Sequence, residues 1–174
     1  MWSDKRARLR HVALDAALLA VALIFSYVEA LFPVVLPIPI PGFKLGLANV
    51  IVLWLAVNRT AWEAGAVSLL RIVIVAMLFG TPVSFWFSFG GAFVSFLAIL
   101  LLRRCCFFSY IGVSVFSASA HNFGQLLAAS CLFGFNTMLA YLPVMLIASV
   151  IFGALCGILL NFMAPRLKEG KLHV

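Results

Sequence analysis

Ala64-Gly65-Ala66-Val67-Ser68-Leu69-Leu70-Arg71-Ile72-Val73-Ile74-Val75-Ala76-Met77-Leu78-Phe79-Gly80 reads as a membrane-spanning helix carrying one residue that does not belong in hydrocarbon. An arginine at mid-bilayer depth costs about 2.5–3.5 kcal/mol on insertion scales. Arg71 must therefore face a polar interior made by other helices. The stretch predicts a membrane bundle and, inside it, a site.

The remainder of the chain agrees. Of 174 residues, 66% are hydrophobic and 10% charged, a balance that excludes a soluble globular domain. A hydrocarbon core about 30 Å thick takes about 20 apolar residues per helix, so the length accommodates roughly six spans and little else. Apolar runs fall at 12–35, 43–57, 63–80, 84–102, 110–133 and 138–162, separated by Gly, Pro, Asn or charged residues. The expected fold is all-α, an integral membrane bundle of six transmembrane helices. Its expected divisions are a basic cytoplasmic N-terminus (1–11), one transmembrane domain (12–164) and a basic cytoplasmic tail (165–174).

The second run is short and follows Pro33, Pro37, Pro39, Pro41 and Gly42. Apolar yet unable to continue a helix, the segment from Phe32 to Gly42 is expected to form an ordered outer loop between the first two helices. A shortened helix beside such a loop points to a binding site. The plainer alternative is a stiff connector.

Basic residues set the orientation. Lys5, Arg6, Arg8 and Arg10 precede the first run, Arg59 separates the second from the third, Arg103 and Arg104 follow the fourth, and Arg166, Lys168 and Lys171 follow the sixth. In a six-span arrangement all of these fall on one side, which places both termini in the cytoplasm. The net charge of +7 then reflects topology and anionic headgroups, and no nucleic-acid partner is expected. The first run is long and lacks a small-residue cleavage site, so it reads as a helix and not as a signal peptide.

Lys44 and Arg71 are the basic residues that topology leaves unexplained. Counted along the helices, Glu29, Lys44, Asn49, Arg71, His121, Asn122 and Gln125 come to similar depth in the outer half of the bundle. His121 and Gln125 share a helical face with Ser114 and Ala118, while Asn122 is rotated about 100° away. Gly112, Ser114, Ser117, Ala118, Ser119, Ala120 and Gly124 make this helix one of small residues, suited to close packing or to leaving room for a ligand. The alternative for Asn122 and Gln125 is hydrogen bonding between helices, and for Glu29 and Arg71 a structural ion pair.

Several chemistries are disfavoured. The acidic residues are Asp4, Asp15, Glu29, Glu63 and Glu169, with no two placed as a metal-binding carboxylate pair. Magnesium-dependent diphosphate chemistry needs such carboxylates. No Walker-type glycine loop is present, so energy for transport would come from another subunit or an ion gradient. Cys105 and Cys106 read as free thiols, and Cys131 and Cys156 as small buried apolar residues. No metal, cofactor or catalytic residue is expected. In the first helix Ala13 and Ala17, and Ala16 and Ala20, repeat at four-residue spacing, a face that lets another helix come close.

Five segments resemble one known family: Leu36-Pro37-Ile38-Pro39, Gly42-Phe43-Lys44-Leu45-Gly46-Leu47-Ala48-Asn49, Leu69-Leu70-Arg71, Phe87-Ser88-Phe89-Gly90-Gly91, and Ala120-His121-Asn122-Phe123-Gly124-Gln125. Together they are similar to the bacterial Gx transporter family, whose members also carry the label heptaprenyl diphosphate synthase component I. That family in turn resembles the S components of energy-coupling factor transporters. The resemblance implies a multi-pass protein of the bacterial inner membrane that binds a small, anionic micronutrient near its outer face. It also implies partners: a transmembrane coupling subunit with ATPases, met through Ala13, Ala16, Ala17 and Ala20. Two other readings stay open, a noncatalytic membrane subunit of a prenyl diphosphate synthase and a membrane anchor in an electron-transfer complex.

Overall fold

The computed structural model describes residues 2–35, 46–102, 104 and 108–163, and all the regular structure in them is helical. The helices are α1 (Trp2–Val35), α2 (Asn49–Asn58), α3 (Ala61–Phe79), α4 (Pro82–Leu102), α5 (Tyr110–Phe133), α6 (Phe135–Leu139) and α7 (Leu142–Met163). α1 continues through Phe32 and Pro33 to Val35, so the expected loop does not start at Phe32; its remainder, 36–42, lies outside the described residues, as do Lys44, Cys105, Cys106 and the basic tail.

Among the described residues four helices are long and apolar enough to cross a membrane: Leu9–Leu31 within α1, then α3, α4 and α7. The expected six spans are thus four by length and apolarity. Two helices depart from that expectation for different reasons. α2 has ten residues, about 15 Å of helix and half a hydrocarbon core. α5 has 24 residues, length enough to cross, but its inner face carries Ser114, Ser117, His121, Asn122 and Gln125. The last expected run divides into α6 and α7, because Pro143 has no N–H and fits only the first turn of a new helix.

α2 is the centre of the bundle. Every residue from Asn49 to Ala56 is buried, and α1, α3, α4, α5 and α7 all touch it. A helix apolar on all sides needs neighbours on all sides. Ile51, Leu53, Trp54 and Leu55 therefore form the heart of the main core with Leu18, Ile99 and Leu160.

The tightest packing joins α4, α5 and α7, where small residues replace side chains with backbone contact. A Cβ on Gly124 would stand 2.5 Å from the Gly90 carbonyl oxygen, and one on Gly157 2.5 Å from the Ile111 Cα. Between α5 and α7, Ser119 and Ser149 share a hydrogen bond of 2.9 Å. The small residues of α5 thus serve close helix approach.

Local signals fix the helix starts. Thr60 and Glu63 form a capping box at α3, with bonds of 3.2 and 3.1 Å. Ser109 caps α5 through the Gly112 N–H, and Thr81 accepts the Ser84 N–H at the start of α4. Gly134, at φ +86°, breaks α5 from α6 in a conformation that side-chain-bearing residues rarely adopt. Arg59, at the α2–α3 turn, donates to His11 Nδ1 and lies 3.8 Å from the Asp15 carboxylate, which ties the N-terminal end of α1 to that turn.

The outside of α1 is open. Ala13, Ala16, Ala17 and Ala20 are all exposed. Cys131 is also exposed, against the expectation of a buried thiol, because it sits on the outer side of α5, which faces away from the core.

Candidate functional site

Five helices contribute to one cavity. Ser26 and Glu29 come from α1 at a three-residue spacing that puts them on one face, and Gly46 and Asn49 come from the entry to α2. Arg71, Ile72 and Val75 come from α3, Ser88 from α4 and His121 from α5. Four of the residues expected from sequence, Glu29, Asn49, Arg71 and His121, therefore meet at one place. The space they enclose is about 20 Å³ as open to the centre of a water molecule, room for one water.

Each polar group has a traceable anchor. Arg71 is 7% exposed and its Nη1 donates to Ser26 Oγ at 3.2 Å. Its Nε is buried without a hydrogen-bond partner. Glu29 is buried on the same wall, and its charge acts on the guanidinium. The Glu29 carboxylate also accepts the Leu47 N–H, just before α2. An anion at a helix N-terminus is favoured by the helix dipole, so Glu29 secures the α2 entry as well as lining the cavity. Gly46, at φ +80°, gives that entry its turn, and the Asn49 N–H closes it on the Gly46 carbonyl at 3.0 Å. Asn49 Nδ2 then donates to Ser95 Oγ of α4 at 3.2 Å.

The polar stripe of α5 is buried as its spacing predicts: Ser114, Ala118, His121 and Gln125 all face inward. Gly91 of α4 makes room for its upper end. A Cβ there would lie 2.7 Å from Gln125 Cγ and 2.9 Å from His121 Nε2. Asn122 points elsewhere, donating to the Met145 carbonyl of α7 at 2.8 Å, and is not part of the cavity wall.

Ser26 and Ser88 were missed by sequence reasoning. Serine is common in membrane helices, and only the three-residue step from Ser26 to Glu29 marks it in advance.

A second space, an open furrow of about 500 Å³ between α4 and α5, is walled by Trp86, Phe89, Phe93, Leu127 and Leu132. It offers no charged group to orient a ligand and lies on the face suited to lipid. Among the described residues no group of three His, Cys, Asp or Glu side chains is placed to hold a metal ion.

Of the residues around this cavity, Gly46, Asn49, Arg71, Ser88 and His121 fall within the five segments quoted above, and Glu29 does not. The model of the heptaprenyl diphosphate synthase component I family matches residues 18–163. The chain belongs to that family. The match runs from within α1 to the end of α7 and covers every described cavity residue, and it is the family that the five segments resemble. No curated protein and no solved structure matches the chain. Family membership and four membrane-capable helices make it a multi-pass membrane protein.

Proposed function

We propose that the chain is the substrate-binding subunit of an uptake system, capturing a small anionic micronutrient for subunits that supply the energy. The observation that carries this reading is Arg71: a buried guanidinium in a cavity built by five helices, with Nε free of any hydrogen-bond partner. Arginine is suited to carboxylate and phosphate groups, which take two parallel hydrogen bonds from its fork. Asn49, Ser88 and His121 add hydrogen-bonding capacity around the anion.

In this reading α5 is a fifth pass and α2, too short alone, is part of a sixth, both termini are cytoplasmic, and the membrane is the bacterial inner one. The chain does no chemistry itself. The water-sized cavity is the occluded arrangement, and α1 moves to admit substrate. Support for α1 as the moving part is its shallow packing, since 17% of its span is buried, the least of the four apolar spans. The exposed face of Ala13, Ala16, Ala17 and Ala20 is the docking surface for a coupling subunit with ATPases.

The test is native mass spectrometry of protein purified in mild detergent. A stoichiometric small molecule is expected, absent from Arg71→Ala. A molecule retained equally by the variant removes Arg71 from the site. The family's printed name favours a second reading, a noncatalytic membrane subunit of a prenyl diphosphate synthase. That reading predicts higher synthase activity when this protein is mixed with a purified catalytic subunit, and no change counts against it.

A further inference from the structure

Gln125 is 2% exposed, and both polar atoms of its side chain, Nε2 and Oε1, are buried without a hydrogen-bond partner. Buried amides of this kind are rare in folded proteins, because each lost partner carries its own desolvation cost. Its neighbours on α5 are satisfied between helices or within the helix. Asn122 reaches the Met145 carbonyl, Ser119 reaches Ser149, and Ser117 donates to the Ser114 carbonyl. Helix glue therefore accounts for those residues and not for Gln125.

Its position relates it to the cavity. Gln125 lies one turn above His121 on the same face, and one point above Gly91 is within 3 Å of both Gln125 Cγ and the His121 ring. His121 lines the cavity that also holds Arg71, whose Nε has no partner. Arg71 and His121 thus line one cavity, and Gln125, itself outside that lining, stands next to the His121 ring across the Gly91 backbone.

We infer that the ligand bears, besides its anionic group, an amide-like edge that Gln125 recognises: a lactam, imide or carboxamide whose N–H and C=O pair with Oε1 and Nε2. This rests on the uptake reading and names its substrate class. Charged groups fail on one atom each. A carboxylate satisfies Nε2 but sets its charge against Oε1, and an ammonium satisfies Oε1 alone. An amide edge satisfies both, while the anion meets Arg71. Such a site discriminates strongly, because an analogue lacking the edge leaves the glutamine orphaned inside the protein.

The experiment compares two probes by calorimetric titration of the full chain in detergent: orotate, a carboxylate on an imide-bearing ring, and benzoate, a carboxylate on a ring without one. Orotate should bind at least about tenfold tighter. Gln125→Leu should bring orotate affinity down to that of benzoate, and Arg71→Ala should abolish binding of both probes. Gln125→Glu, which keeps the shape and replaces the donor with an acceptor, should also lose the preference, so the comparison does not depend on one variant folding. A preference that survives both glutamine variants, or equal binding of the two probes, overturns the inference. Arg71-dependent binding in that case leaves the uptake reading standing. If neither probe binds, this ligand class is wrong, and the retained molecule in native mass spectrometry decides the uptake reading separately.

Discussion

Arg71 Nη1 donates to Ser26 Oγ at 3.2 Å, and the same hydroxyl donates to the Ala22 carbonyl at 2.9 Å. The guanidinium of α3 is thereby aimed by the backbone of α1. With one nitrogen held by Ser26 and the Glu29 carboxylate lining the same cavity, Arg71 presents its remaining donors in fixed directions.

That arrangement makes geometry matter beyond charge. Arg71→Lys keeps the positive charge but loses the planar fork, and should weaken retention of the bound anion by at least about tenfold. Ser26→Ala should have a smaller effect, a loss of about 1 kcal/mol of stability and a few-fold of affinity. Titration calorimetry on both variants checks the order. Equal effects would mean that Ser26 does not orient the guanidinium.

Asn122 provides the contrasting case. Its amide serves the α5–α7 contact, so Asn122→Leu should cost about 0.6–2 kcal/mol in a reversible unfolding assay in detergent and leave ligand binding intact. Loss of the ligand without loss of stability would put Asn122 back in the site.

These two residues also measure how far the sequence could be read. The shared face of His121 and Gln125 followed from a four-residue step, and the inward turn of Arg71 from the cost of leaving it in lipid. Neither argument says which neighbour a side chain meets. Asn122 lies one residue from His121, and whether it faced the ligand or α7 depended on where Met145 came to rest. The boundaries of α5 were legible because Ser109 and Gly134 mark its two ends. The depth of α2 was not, since an apolar run reads alike whether lipid or protein surrounds it.

Glycine positions should divide sharply. Gly157→Ala would force a Cβ to within 2.5 Å of the Ile111 backbone, and overpacking of this kind costs about 1–3 kcal/mol. At Gly65 the nearest atom is the tip of the Phe96 ring at 3.3 Å, an aromatic edge that can shift by a few tenths of an ångström. Gly65→Ala should therefore be close to neutral. Thermal unfolding of the two variants side by side tests the packing of α5 on α7.

At the start of α3, Thr60→Ala removes one half of the capping box and should lower stability by about 1 kcal/mol. Thr60→Ser keeps the hydroxyl and should recover most of that loss. A similar decrease in both would assign the effect to the lost methyl group instead.

The open face of α1 predicts a separation of functions. Ala13→Leu and Ala17→Leu enlarge exposed residues of α1, so the isolated protein should unfold and bind ligand as before. Uptake by cells should fall, because a partner helix can no longer approach closely. Normal uptake by the double variant would move the coupling surface elsewhere.

The central position of α2 has a consequence for how the protein is made. Four of the five helices around it, α3, α4, α5 and α7, are synthesised after it, so no early stage of translation can enclose it. Ten residues cannot bridge a bilayer, and until those later helices arrive α2 lacks most of its walls. The segment around Asn49 must therefore wait at the insertion machinery or at the membrane surface. The cavity, which Gly46 and Asn49 help to line, is consequently among the last parts of the molecule to exist.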